Sequence, residues 1–197
     1  MLAEMLRASG LRATAAGNVG DPVVETVLHP QPYDVIALEL SSYQMHWVTS
    51  MTARSAAVLT VAPDHLDWHG SLAAYTADKG RIYRGVQAAC VYNVEDPETE
   101  ELVRAADVTE GARAIGVTSG IPRVGMLGSV DGVLADRAFV AERQTAAAEL
   151  GTVADLVSSA PHNVTNALAA AALARSIGVP PVAVRDGIRA FRPDPHR

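Results

Sequence analysis

Val61-Ala62-Pro63-Asp64-His65-Leu66-Asp67-Trp68-His69-Gly70, followed closely by Lys79, is the stretch around which the chain is read. Before it, Ser55 to Val61 is a mostly apolar run with almost no charge, which suits a strand buried on both faces of a parallel sheet. After it, Ser71 is placed to cap a helix carrying Leu72, Tyr75, Lys79 and Ile82 at steps of three and four. A strand, a polar loop and a capped helix make half of an α/β unit. In open α/β sheets ligands lie outside the carboxyl ends of the strands, so Asp64, His65, Asp67 and His69 form the candidate site. The same residues also suit a solvated turn, with the aspartates as caps and the histidines as structural groups. Lys79 falls on the apolar face of its helix, where a lysine must be paired, deprotonated or modified.

The 197 residues suffice for one domain with a sizeable core. Their 49% hydrophobic and 19% charged composition is that of a soluble globular protein. A net charge of −6 without any basic stripe argues against nucleic acid as a partner. The single cysteine, Cys90, lies in the apolar run Ala88-Ala89-Cys90-Val91-Tyr92, which predicts a buried thiol and fits a reducing, cytoplasmic setting. No apolar run approaches the ~20 residues of a membrane span, and the N-terminus lacks the order of a signal peptide.

Outward from the central stretch, Leu2, Met5 and Leu6 share one face of a helix ending at Gly10. That helix opens without a cap, which predicts a longer protein ahead of it. A short strand over Arg12 to Ala16 leads into Gly17-Asn18-Val19-Gly20, either an ordinary turn or a place where backbone amides approach a polar ligand. Asp34 to Leu40 predicts a second buried strand ending in Glu39, a carboxylate that wants a metal, a cation or several donors. Further strands are expected at Ala88 to Tyr92 and Ala112 to Val117. Pro97 starts a helix, and Pro122 to Val140 forms a small antiparallel excursion turning at Asp131-Gly132. Pro161 opens a long alanine-rich helix reaching Gly178, with Asn163 and Asn166 on one face near its positive end. N-capping alone would also account for Asn163. A short helix spans Val182 to Ala190, and residues 191–197 read as a linker. The expected class is α/β: a mostly parallel sheet flanked by helices.

Several of these motifs coincide. Gly17-Asn18-Val19-Gly20, Glu39-Leu40-Ser41-Ser42-Tyr43-Gln44, Asp64-His65-Leu66-Asp67-Trp68-His69-Gly70, Lys79 with Arg81-Ile82-Tyr83, His162-Asn163 with Asn166, and His196-Arg197 stand in the order and spacing found in the Mur ligases. The segment after Glu39 resembles the D-glutamate-adding branch of that family. The resemblance covers nearly the whole chain and is weakest between Glu95 and Gly151. It implies a central, ATP-binding domain like that of P-loop NTPases over residues 1–190, with 191–197 leading to a further domain. It also implies a monomeric parent enzyme that uses ATP to join UDP-N-acetylmuramoyl-L-alanine to D-glutamate through an acyl phosphate. Carried over residue by residue, Glu39 and His65 match magnesium-holding positions, and Lys79 matches a lysine that becomes carbamylated. Asn18 and Ser41 match substrate contacts, Asn163 and Asn166 the adenine side of the nucleotide pocket, and Arg197 an arginine reaching the γ-phosphate. One departure is large: the family's Gly-x-x-Gly-Lys-Thr/Ser phosphate loop does not occur in this sequence. The strand feeding that loop, expected in the sheet interior, is missing with it, so the chain alone is expected to be inactive. Besides another Mur ligase or a folylpolyglutamate synthetase relative, two rival readings from other classes stand beside this one. The first is a binding module that keeps part of the substrate site. The second is a metal-dependent hydrolase built on Asp64, His65, Asp67 and His69, which no zinc-type spacing supports.

Overall fold

A computed structural model describes residues 1–193. Helix α1 (Leu2–Ala8) leads to β1 (Ala13–Gly17), α2 (Val23–Val27), β2 (Val35–Glu39) and α3 (Ser42–Trp47). Then come β3 (Ser55–Val58), α4 (Leu66–His69), α5 (Leu72–Gly80) and a 3₁₀ turn at Arg81–Tyr83. The chain continues through β4 (Ala89–Asn93), α6 (Pro97–Arg104), β5 (Arg113–Val117), β6 (Met126–Val130), β7 (Val133–Asp136) and β8 (Ala148–Thr152). It closes with α7 (Pro161–Ser176) and α8 (Pro181–Ala190).

Strands β3 to β8 form one sheet in sequence order, parallel from β3 to β6 and antiparallel from β6 to β8. Strands β1 and β2 pair in parallel as a separate two-stranded sheet. Two sequence expectations change here, while the antiparallel excursion expected after Pro122 is present as the β6–β7 hairpin: β6 joins β5 in parallel through Gly116↔Met126 and Val117↔Leu127, so the hairpin extends the main sheet. Its turn lies at Asp131-Gly132, both with positive φ, as a two-residue hairpin loop requires. Strand β8, Ala-Glu-Leu-Gly-Thr, was not foreseen, because five residues with a single large apolar side chain carry almost no alternation signal. Finally, β2 and β3 are not buried on both faces. β2 is half-buried with an exposed end, and β3 alternates buried and half-buried positions at the edge of its sheet.

The core lies where α7 crosses the larger sheet. Ala167 to Ala172 and Ala174 are buried, and the small side chains let the helix pack against β3, β4, β5 and β6. Leu168 of α7 and Ile115, Leu127, Leu134 and Leu150 from the strands are fully buried in this core. Each such side chain contributes about 1.5–3 kcal/mol of transfer free energy. Helix α1 buries Met5 and Leu6 completely, on the predicted face. It lies so close to α8 that a Cβ on Gly187 would sit 2.4 Å from the Met5 Cα. Two polar clamps order the frame. Buried Asp136 accepts from Arg175 Nε (2.9 Å) and from the amides of Ala138 (2.7 Å) and Phe139 (2.9 Å), fixing β7 to α7. The Tyr83 hydroxyl accepts from the Val58 amide (2.8 Å) and donates to the Val91 carbonyl (2.6 Å), which ties the end of the α5 segment to β3 and β4.

Candidate functional site

The site is assembled at strand carboxyl ends. Strand β1 ends at Gly17, whose φ of +123° places it against β2 so closely that a Cβ would lie 2.2 Å from the Glu39 carbonyl oxygen. Only glycine allows this approach. The next amide, of Asn18, donates to that same carbonyl at 2.7 Å. Glu39 ends β2 as an exposed residue. Ser41 then caps α3 in a reciprocal box: the Gln44 amide donates to Ser41 Oγ (3.3 Å), and the Ser41 amide donates to Gln44 Oε1 (2.8 Å).

The loop after β3 turns at His65, whose left-handed conformation (φ +51°) starts α4. Its amide donates to Asp64 Oδ1 at 2.8 Å, and its ring lies 4.8 Å from that of Tyr43. Gly70, also left-handed, ends α4, and Ser71 caps α5 by accepting from the Ala74 amide at 3.1 Å, as the sequence predicts. One helical turn apart on α5, Lys79 Nζ donates to the Tyr75 hydroxyl at 3.0 Å. The lysine is half-buried and hydrogen-bonded to that hydroxyl. Desolvation raises the Tyr43 phenol above its ordinary value, and the charges of Asp67 and Asp64 add to the rise.

Between β2 and β3 runs a cavity of about 910 Å³. Residues 35–42 line one wall and 51–60 the other, with Leu173 and Ile177 of α7 beneath. The two sheets are not hydrogen-bonded to each other across this cavity. Asn18, Glu39, Ser41, His65 and Lys79, from four separate segments, all line this cavity. Asn163 and Asn166, in the first turns of α7, are not among its lining residues. Arg197 lies outside the described residues. Among the described residues, no group of three or more His, Cys, Asp or Glu side chains is arranged to hold a metal ion.

One cluster was not foreseen. Asp78, with 6% of its side chain exposed, accepts at Oδ2 from His46 Nδ1 (2.9 Å) and shares Oδ2 with His69 Nδ1 (3.0 Å). Its Oδ1 faces Arg81 Nη2 at 3.2 Å. The far nitrogen of His69, Nε2, lies 3.0 Å from Ser42 Oγ. In the sequence Asp78 is merely an acid beside Lys79; the position of Arg81 three residues later was the one available signal.

Two sheets, the larger mostly parallel and packed by helices, with polar residues gathered at strand ends around a large cavity, define an α/β ligand-binding domain. The Mur ligase middle-domain profile matches residues 1–174, and the chain belongs to that family. It is 64% identical to the UDP-N-acetylmuramoylalanine–D-glutamate ligase of Streptomyces avermitilis over its full length, and 62% identical to that of Streptomyces coelicolor. It spans 42% of the length of each. The fold superposes with a TM-score of 0.67 on a solved UDP-N-acetylmuramoyl-L-alanyl-D-glutamate–2,6-diaminopimelate ligase at 17% identity, covering 98% of this chain and 43% of that one.

Proposed function

We propose that this chain is the middle part of a ligase that joins D-glutamate to UDP-N-acetylmuramoyl-L-alanine at the expense of ATP, and that its cavity is where the sugar-peptide carboxylate is activated. The supporting observation is the convergence of Asn18, Glu39, Ser41, His65 and Lys79 on one cavity. In such a transfer the substrate carboxylate attacks the γ-phosphate, and the amino-acid amine then displaces phosphate from the acyl phosphate. The protein's share is positioning and neutralisation of charge.

The residues present fit Mg²⁺, which keeps most of its waters and takes one or two protein carboxylates beside substrate phosphates. Glu39 offers such a carboxylate and His65 a neighbouring donor on the same cavity; the ion, when bound, would neutralise developing phosphate charge. Asn18 and Ser41 would orient the substrate, although the Ser41 hydroxyl already caps α3. Lys79 would serve as a carbamate: its neutral amine adds to carbon dioxide, an N–C bond forms, a proton leaves, and the product is an anion facing the cavity. The chain contributes no phosphate loop, so the gap between β2 and β3 is where a strand and loop from the rest of a relative-length protein would enter. Asn163 and Asn166 would flank the adenine, Arg197 would reach the γ-phosphate, and the setting would be cytoplasmic. No described helix is long and apolar enough to cross a membrane.

The test is ligation by a protein of the relatives' length carrying this segment, with Glu39→Ala and Lys79→Ala variants, alongside ¹³C NMR in labelled bicarbonate. D-glutamate-dependent phosphate release that each substitution abolishes, and a carbamate carbon signal missing from Lys79→Ala, are expected. Full ligation by both variants would overturn the site assignment. Binding of the UDP-sugar without any ATP cleavage would move the chain to the binding-module reading.

A further inference from the structure

We infer that Ser42, His69 and Asp78 form a serine–histidine–aspartate relay that makes the Ser42 hydroxyl a nucleophile toward activated acyl groups entering the cavity. The geometry is that of a proton relay. Asp78 Oδ2 lies 3.0 Å from His69 Nδ1 and its Oδ1 faces Arg81, so an ionised Asp78 takes the Nδ1 proton of a neutral imidazole. In that tautomer Nε2 is the acceptor for Ser42 Oγ, 3.0 Å away. The His69 side chain is fully buried, stacked on Tyr43 (centroids 5.7 Å apart) and edged by Trp68 (4.5 Å) and Tyr75 (5.3 Å).

Two further observations separate this relay from ordinary helix capping. Ser41 and Gln44 already cap α3, so the Ser42 hydroxyl is not needed for that purpose. Ser42 also faces the 910 Å³ cavity, whereas His69 and Asp78 lie behind it around a second cavity of about 360 Å³. The nucleophile is therefore accessible and its base is shielded, as acyl-transfer sites built on these three residue types require.

With an aryl ester the step balances as follows. A bond forms between Ser42 Oγ and the acyl carbon, the serine proton passes to His69 Nε2, the bond to the leaving phenol breaks, and the phenol carries that proton away. Water then attacks the acyl-serine by the same route and releases the carboxylic acid. Asp78 is the positioning residue, fixing the tautomer and orientation of the ring. The relay needs neither nucleotide nor ligation, so it stands or falls separately from the ligase reading.

The experiment treats the 197-residue chain with a fluorophosphonate probe, maps the modified serine by peptide mass spectrometry, and follows 4-nitrophenyl acetate hydrolysis in parallel. Labelling at Ser42 in the folded chain is expected, far faster than at Ser41 and absent in urea. His69→Gln should slow labelling by about 10²–10⁴-fold, the usual worth of a general base. In ¹⁵N spectra His69 should be the Nδ1–H tautomer, and Asp78→Asn should shift it toward the other tautomer while slowing labelling. Equal labelling of Ser41 and Ser42 in the folded wild-type chain would overturn the relay without recourse to any variant. So would undiminished labelling in a folded His69→Gln chain, or an Nε2–H tautomer in the wild type.

Discussion

Replacing Tyr83 by Phe removes one oxygen and nothing else, and the structure sets its cost. That hydroxyl is the shared partner of the Val58 amide at 2.8 Å and the Val91 carbonyl at 2.6 Å, and Tyr83 is fully buried. Without it, a donor and an acceptor are left unpaired where water cannot replace the bond. Each such group costs about 1–3 kcal/mol, the carbonyl toward the lower end, giving roughly 2–4 kcal/mol in all. The phenyl ring still fills the site, so no cavity term is added. Against a total stability of about 5–15 kcal/mol this is a large fraction. Urea denaturation followed by circular dichroism should show a lower midpoint with an unchanged slope, and a midpoint temperature reduced by about 5–15 °C. The effect carries a pH signature. Burial pushes the Tyr83 phenol well above its ordinary 10.0, so the hydroxyl's contribution is fully present below pH 10 and is lost as pH rises beyond it. The gap between wild type and Tyr83→Phe should narrow in strong alkali. A loss below ~0.5 kcal/mol at pH 7 would show that the hydroxyl does not join β3 to β4 as described.

Gly17→Ala should cost at least about 1–3 kcal/mol from the positive φ alone, with more from the 2.2 Å approach to the Glu39 carbonyl. Thermal melts check this, and an unchanged melt would contradict the close contact of β1 with β2. Cys90 is buried, and its thiol is raised from 9.0 to about 11, so at pH 8 its thiolate population is about 100-fold smaller than in the unfolded chain. Iodoacetamide should therefore modify it slowly until urea is added; the stability tied to the protonated thiol is whole below pH 9 and lost as pH rises toward 11. Rapid alkylation of the native chain would refute the burial.

The pattern of elements was legible because their signals are local. Ser71 before Leu72 and Tyr75, Pro97 and Pro161 at helix starts, and the Asp131-Gly132 turn each fix a boundary through the backbone chemistry of one or two residues. Met5 and Leu6 could be assigned to the core from spacing alone. Glu39 and His65 stood out because they sit at strand ends and Lys79 because it falls on the apolar face of its helix, whereas Asn18 and Ser41 came from the motif resemblance; all five line one cavity. Ser42 and Asp78 were missed. A serine beside a cap and an acid beside a lysine differ from surface residues only once α3, α4 and α5 are packed against one another.

The sequence by itself determined the α/β class, most helix and strand positions, the buried thiol and the family, all of which rest on periodicity, turn chemistry or motif spacing. Tertiary structure decided what depends on distant partners. It made the hairpin after Pro122 part of the main sheet, because pairing with β5 requires Gly116 and Met126 to meet. It left β2 and β3 facing each other across a cavity, because strand neighbours are chosen by the whole sheet and not by either strand's own residues. It turned Ser42, His69 and Asp78 into a single chain of hydrogen bonds, because only the packing of three helices brings those atoms to 3.0 Å.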